Sequence, residues 1–387
     1  MTASVQTDVT AAARAHARGT AAQAVASVTA QLRGALDGVE AAVVLYFASA
    51  AFSPADLAAP LAAAFAEATV IGCSTAGEFT DQTDGVGGLS TLALPAGLVR
   101  AHPAVLADLH DPVIGARAAL ADLAVLAGED LRDLDPTQWF GLLLVDGVHG
   151  AEESVNEEID AAAPLLEVVG GSAGDDLAFE RTWVAVGDRV SECGMALVLV
   201  HATVPFRVLR TTSCTSTGRP LLVTRCDVAT RTVLELDGRP AAEVYAAAVG
   251  HPRDAVDTLD TVFPRHPVGL MVDGDPFVRS PQRVVAGGGI RFSCQMVEGM
   301  RVDVLDAGDV VADTAAAVLQ ARDALGAVSG AVFFNSVHRR LVLAETDRPG
   351  DFVRALGGIP SAGFHTYGES WLGHLNHTLT GIVLGRP

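Results

Sequence analysis

Ser74, Thr75, Gly77 and Glu78 stand together in the phrase Gly72-Cys73-Ser74-Thr75-Ala76-Gly77-Glu78, and the combination of hydroxyl, glycine and carboxylate returns as Gly363-Phe364-His365-Thr366-Tyr367-Gly368-Glu369. A shorter relative, Gly170-Gly171-Ser172-Ala173-Gly174-Asp175-Asp176, lies between them. The hydroxyls of Ser74, Thr75, Ser172 and Thr366 can donate or accept, and the carboxylates of Glu78, Asp175, Asp176 and Glu369 can hold a cation. Gly77, Gly174 and Gly368 let the main chain come close to a small molecule. The chemistry this permits is binding: a carboxylate takes a ligand's ammonium, while N–H groups and Arg339 or Arg340 take its anionic end. The alternative is that each loop only turns the chain and its acid caps neighbouring N–H groups.

The elements that position these loops follow one succession: strand, amphipathic helix, second apolar run. The segments are residues 43–47, 55–67 and 68–71, then 142–145, 152–163 and 165–169, then 331–334, 351–356 and Ile359. A succession written three times implies a reused building block. Hairpins are expected between residues 89–94 and 98–105, and between 182–186 and 195–200, each pairing with its own strand–helix–strand core. Helices are expected at residues 113–127, 241–249 and 309–325. The fold class is therefore α/β: two domains with mixed, largely antiparallel sheets covered by helices, built on a thrice-repeated strand–helix–strand–glycine-rich-loop unit. The turn Asp237-Gly238-Arg239-Pro240 suggests a boundary, giving a lead and helix over 1–36, with a frayed lead to about residue 20, and domains over 37–236 and 237–387.

Composition removes several function classes. The net charge is −20, and all 26 basic residues are arginine. Without lysine there is no pyridoxal Schiff base and no Walker A loop, and the acidity argues against a nucleic-acid partner. The five cysteines (Cys73, Cys193, Cys214, Cys226, Cys294) never form C-x-x-C, as expected of reduced thiols. No apolar run is long enough for a membrane span and no signal peptide is recognisable, so a cytoplasmic location is expected.

Two other motifs offer alternatives. Gly170-Gly171-Ser172-Ala173-Gly174 matches G-x-S-x-G, the nucleophile elbow of serine hydrolases, but that motif needs a helix directly after it and a strand is expected there. The histidines His365, His374 and His377 cluster late in the chain, and His201 interrupts an apolar strand. Trp139, Trp183 and Trp371, each beside one unit, either wall a pocket or plug the core.

Taken together these pieces resemble the FIST family, bacterial sensory proteins with an N-terminal and a C-terminal FIST domain. The resemblance rests on the first loop, on Asp146-Gly147 with Gly150 and Glu152-Glu153, on the Ser172 loop, and on Leu236-Asp237-Gly238-Arg239-Pro240-Ala241. In the C-terminal part it rests on Phe333 with Arg339-Arg340, on Thr366-Tyr367-Gly368-Glu369, and on Asn376 with Thr378-Leu379-Thr380-Gly381. It covers roughly residues 40–385, and departs at His149, where a small residue is usual, and at Asn335-Ser336, where a cysteine is common. It implies a cytoplasmic input module for small ligands, amino acids being candidates, with no enzymatic activity and no cofactor. The chain ends without a transmitter helix, so the output would be a separate kinase, cyclase or chemotaxis transducer. The resemblance adds Asp146 and Tyr367 to the candidate binding residues. It also carries an alternative, a haem-binding nitric-oxide sensor with His201, His365, His374 or His377 as axial ligand.

Overall fold

The computed structural model describes residues 11–386, the side chains of residues 253 and 254 excepted. The fold is α/β, with mixed and antiparallel sheets covered by helices. Strands Ala41–Ser49, Trp139–Val145 and Val328–Ser336 are buried almost throughout. Each pairs in parallel with the strand that follows the next helical crossover. Ala41–Ser49 pairs with Thr69–Thr75 across helix Ala55–Ala64, and Trp139–Val145 with Glu167–Ser172 across helix Glu152–Ala162. Val328–Ser336 pairs with Ser361–Thr366 across two short helices, Val337–Glu345 and Pro349–Ala355. Parallel neighbours cannot be joined by a tight turn, so a crossover helix is obligatory and covers the outer face. An antiparallel strand flanks each pair: Gly88–Pro95, Gly194–Ala202 and Thr378–Gly385.

Alternation along the strands builds the core. Val43, Leu45 and Phe47 point inward with Leu142, Leu144, Val332, Phe334 and Phe364, so three sheets share one interior. Val44, Tyr46 and Ala48 point outward against helices Ala21–Leu36 and Ala55–Ala64. Phe47, Phe334 and Phe364 meet at the centre with ring separations of 6.3, 4.9 and 5.8 Å.

The hairpin that follows each glycine-rich loop crosses to a neighbouring sheet. Glu78–Thr80 joins the third sheet beside Ser361–Thr366, Glu369–Ser370 joins the second beside Glu167–Ser172, and Val184–Val186 joins the first beside Thr69–Thr75. The expectation that each hairpin stays with its own core is thereby corrected. Each parallel pair leaves one strand edge open, and a strand from the adjacent unit satisfies its N–H and C=O groups.

Both sequence-expected hairpins are also corrected. Gly88–Pro95 pairs with Ala13–Arg18 and Ala41–Ser49, whereas Val99–Ala101 and Ala104–Asp108 join the second sheet on Gly194–Ala202. Val184–Val186 turns back on Arg189–Ser191 instead of pairing with residues 195–200. Turn residues mark where a chain reverses, but the buried face an arm can complete decides which sheet it joins. The expected frayed lead contains strand Ala13–Arg18, whose Ala13, Ala15 and Ala17 are buried at the edge of the first sheet; its residues 1–10 lie outside the described residues.

Between strand Phe206–Thr212 of the third sheet and helix Val310–Leu325 lies an antiparallel sheet of its own, entered by Cys214–Asp227 and left by Arg301–Ala307. Val223, Val233, Tyr245, Ile290 and Phe292 form its separate core under helix Ala241–Val249. It is an inserted domain within the body of three sheets. Asp237, where the sequence suggests a boundary, sits in a hairpin turn of this sheet, between the paired Leu236 and Arg239. Among the described residues no helix is long and apolar enough to cross a membrane.

Candidate functional site

The glycine-rich loops leave the carboxyl ends of the parallel strands and meet one another. The N–H of Gly174 donates to the carbonyl of Ser74 at 3.1 Å, and those of Ser172 and Tyr367 donate to Gly368 and Ser172 at 2.7 and 3.1 Å. The N–H of His365 donates to Gly77 at 2.8 Å and that of Ala76 to His365 at 3.1 Å. Main-chain hydrogen bonds thus close a ring through all three loops. A Cβ at Gly174 would sit 2.6 Å from the Ala76 nitrogen, so only glycine permits the approach of the first two loops.

The side chains nominated from sequence turn toward protein partners. Glu78 is fully buried and accepts from the Gly88 N–H at 2.5 Å and the Thr75 hydroxyl at 3.2 Å, while Thr75 Oγ1 accepts from the N–H of Gly77. Glu369 is fully buried and accepts from the Thr366 hydroxyl and from the N–H and hydroxyl of Thr378. Burial pushes both carboxyls up to about 7 despite these donors. Asp175 accepts from the N–H groups of Phe179, Glu180 and Arg181 and from the Tyr367 hydroxyl. Burial raises its pKa, but those donors hold it below the usual value. Ser74 accepts from the Trp183 N–H, Ser172 donates to Glu152, and Asp176 pairs at the surface with Arg340 at 3.3 Å. Arg339 is fully buried and bonded to Asn335, Ser213 and Thr314 at 2.8, 2.9 and 2.6 Å. Burial lowers its pKa to about 10.

Beside this ring lies a cavity of about 300 Å³ between the body and the inserted domain. One wall is the Gly147–Gly150 turn, which leaves the carboxyl end of strand Trp139–Val145, where open α/β sheets bind their ligands. Phe179 and Tyr367 form a second wall, stacked at 4.4 Å, and Arg231, Arg283 and Arg291 of the inserted domain form the third. Of the nominated residues only Tyr367 lines this space, and Asp146, Asp175 and Ser172 each hold a lining residue in place. Asp146 is buried behind the turn and binds His149 Nδ1 at 2.6 Å, leaving the other ring nitrogen directed away from it. Burial raises the pKa of Asp146, opposed by its bonds to Thr182 and His149. Ser172 and Asp175 act through Glu152 and Tyr367.

Arg231 reaches Glu152 at 2.7 Å and also pairs with Glu153, tying the inserted domain to the head of helix Glu152–Ala162. Burial pushes the Glu152 carboxyl up, and the charges of Arg231 and His374 bring it below its ordinary value. The arginines, His149 and Phe179 escape sequence reasoning because they lie outside the repeated phrases, on segments brought together only by the insertion. The one signal was His149 standing where the resemblance calls for a small residue.

The four histidines of the haem alternative lie outside the cavity lining. His201 stacks on Trp139 and pairs with Gln138, and His365 is held through both ring nitrogens by Asn335 and Asp84. His374 faces the Ser293 carbonyl, His377 stacks on His338, and none of the four lines the cavity. Among the described residues no group of three or more metal-ligating side chains is placed to hold a metal ion. Nor is Ser172 on a nucleophile elbow: it ends a strand, the next element is strand Val184–Val186, and its hydroxyl meets a carboxylate and not a histidine.

The FIST N domain matches residues 42–239 and the FIST C domain residues 241–371. A search of curated proteins finds no match to the chain. With the N-terminal match alone spanning half of its length, the chain belongs to the FIST family.

Proposed function

We propose that this protein is a cytoplasmic sensory module that binds a small ligand in the cavity between body and inserted domain and reports occupancy to a separate signalling protein, such as a kinase, cyclase or chemotaxis transducer. FIST domains are sensory domains that bind small ligands. The observation that carries the reading is the position of the cavity. It opens at the carboxyl end of a parallel strand pair, is walled by both domains, and has the volume of a small-molecule site. A ligand that touches both domains biases their relative arrangement, which a partner can read as a population shift.

The test compares wild type with Ala229→Trp, which fills the cavity from an exposed position on its rim. Amino acids are the first panel. A compound that raises the Tm of wild type and leaves that of Ala229→Trp unchanged supports the reading. A compound that stabilises both equally binds elsewhere and removes it.

A further inference from the structure

Arg283 and Arg291 face each other directly across the antiparallel strands Pro281–Val285 and Gly289–Phe292. Like charges opposite one another on a sheet repel, and native sheets ordinarily put an opposite charge there. Both arginines line the cavity, and among the described residues neither makes an ion pair or a side-chain hydrogen bond to a carboxylate. The third arginine, Arg231, is already engaged by Glu152, Glu153 and the Ser293 carbonyl. Asp146, buried behind the turn that walls the cavity, is taken up by His149 and Thr182. The charge left without a partner is therefore cationic, in a chain whose net charge is −20.

We infer that the cavity takes a small organic molecule bearing an oxyanion, a carboxylate or a phosphate, which lies between Arg283 and Arg291 while the rest of the molecule packs on the rings of Phe179 and Tyr367. This rests on the cavity being the ligand seat. Guanidinium groups present a planar fork of N–H donors that matches both oxyanions, and an anion between two of them relieves their repulsion. The ring faces on the opposite wall suit a flat or apolar body. The polarity is the reverse of a seat built around a free protein carboxylate, because the acids here are already occupied. Since the arginines belong to the inserted domain and Tyr367 and the Gly147–Gly150 turn to the body, such a ligand bridges the two.

The full-length protein is titrated with matched pairs, benzoate against benzamide, glutamate against glutamine, and phenyl phosphate against phenol, by thermal shift and calorimetry. At least one anionic member binds, its neutral partner binds about tenfold or more weakly, and Arg283→Gln/Arg291→Gln loses about as much. Among the described residues both arginines are unpaired, and both are at least partly exposed, so the double variant keeps its fold, which its unliganded Tm verifies. Whether the carboxylates or the phosphate respond identifies the oxyanion. Binding falls as salt is raised. The inference is overturned if no anionic member binds, if neutral partners bind equally, or if the double variant keeps wild-type affinity. A neutral compound excluded by Ala229→Trp leaves the cavity as the seat and removes only the oxyanion. A compound indifferent to Ala229→Trp removes the seat itself.

Discussion

Arg231 of the inserted domain and Glu152 at the head of helix Glu152–Ala162 lie 2.7 Å apart with side chains only 11% and 2% exposed. The pair is one of several polar ties between the body and the inserted domain. Glu153 adds a second carboxylate to Arg231 and accepts the Gln295 N–H at 2.7 Å, and Ser172 carries the tie into the second loop. Arg231→Ala leaves buried carboxylates without their cation, an arrangement that costs about 3–5 kcal/mol. Chemical denaturation measures it. A loss of less than about 1 kcal/mol would mean that the pair behaves as a solvated surface bridge.

Glu78 and Glu369 make stability depend on pH in a direction opposite to ordinary salt-bridged acids. Their folded pKa values, about 7, lie above the ordinary glutamate value of about 4.5, so the folded state holds these protons more tightly than the unfolded chain. Their contribution is complete below about pH 4.5 and is lost as pH rises through about 7. Tm measured from pH 5 to 8 is expected to fall less steeply in Glu78→Gln and Glu369→Gln than in wild type. Parallel curves for the three proteins would show that these carboxyls do not titrate in that window.

Contact between loops, and not turn formation, is what Gly174 supplies. Gly174→Ala drives a methyl to 2.6 Å from the Ala76 nitrogen and 2.8 Å from its Cβ, against backbone that cannot swing aside. A destabilisation of about 1–3 kcal/mol is expected, as for other overpacked positions. Gly97→Ala, where nothing lies within 4 Å, is the control. Equal Tm values for the two variants would refute the ring of loops as a tight contact.

Tyr367→Phe keeps the ring stacked on Phe179 but removes the acceptor for the N–H groups of Asp175 and Leu177 and a donor to the Asp175 carboxylate. Thermal unfolding should show a loss of about 1–3 kcal/mol. Because the apolar wall survives, cavity ligands should keep most of their affinity. A variant of unchanged stability that no longer binds would instead make the hydroxyl a ligand contact.

Freshly purified protein is expected to show no Soret band, since none of the four candidate histidines lines the cavity. An absorption spectrum decides this in one measurement. A Soret band that vanishes on substituting one of His201, His365, His374 or His377 would restore the haem reading.

Much of the local structure was legible because it depends on near neighbours. Asp309 and Asp111 cap helices Val310–Leu325 and Pro112–Ala127 where polar residues precede apolar periodicity, and the apolar runs at 43–47, 142–145 and 331–334 lie in buried strands. The Val337–Glu345 helix escaped notice because its buried polar residues His338 and Arg339 disguise the apolar face. The site was less legible. Arg339 and Arg291 are the same residue type, yet one is locked inside the body by Asn335, Ser213 and Thr314 while the other lines a cavity with no acidic partner among the described residues.

The amino-acid sequence by itself determined where many of the strands, helices and turns lie, because capping, periodicity and turn chemistry act over a few residues. It also determined the small-residue phrases that let three loops touch. Only the tertiary structure decided that each hairpin completes a neighbour's sheet, that the acids of those loops spend their hydrogen bonds on the protein, and that the charge left over at the cavity is that of Arg283 and Arg291. Those outcomes depend on which open edge and which buried charge is nearest in space, and segments as far apart as residues 147 and 291 meet only when the whole chain has folded.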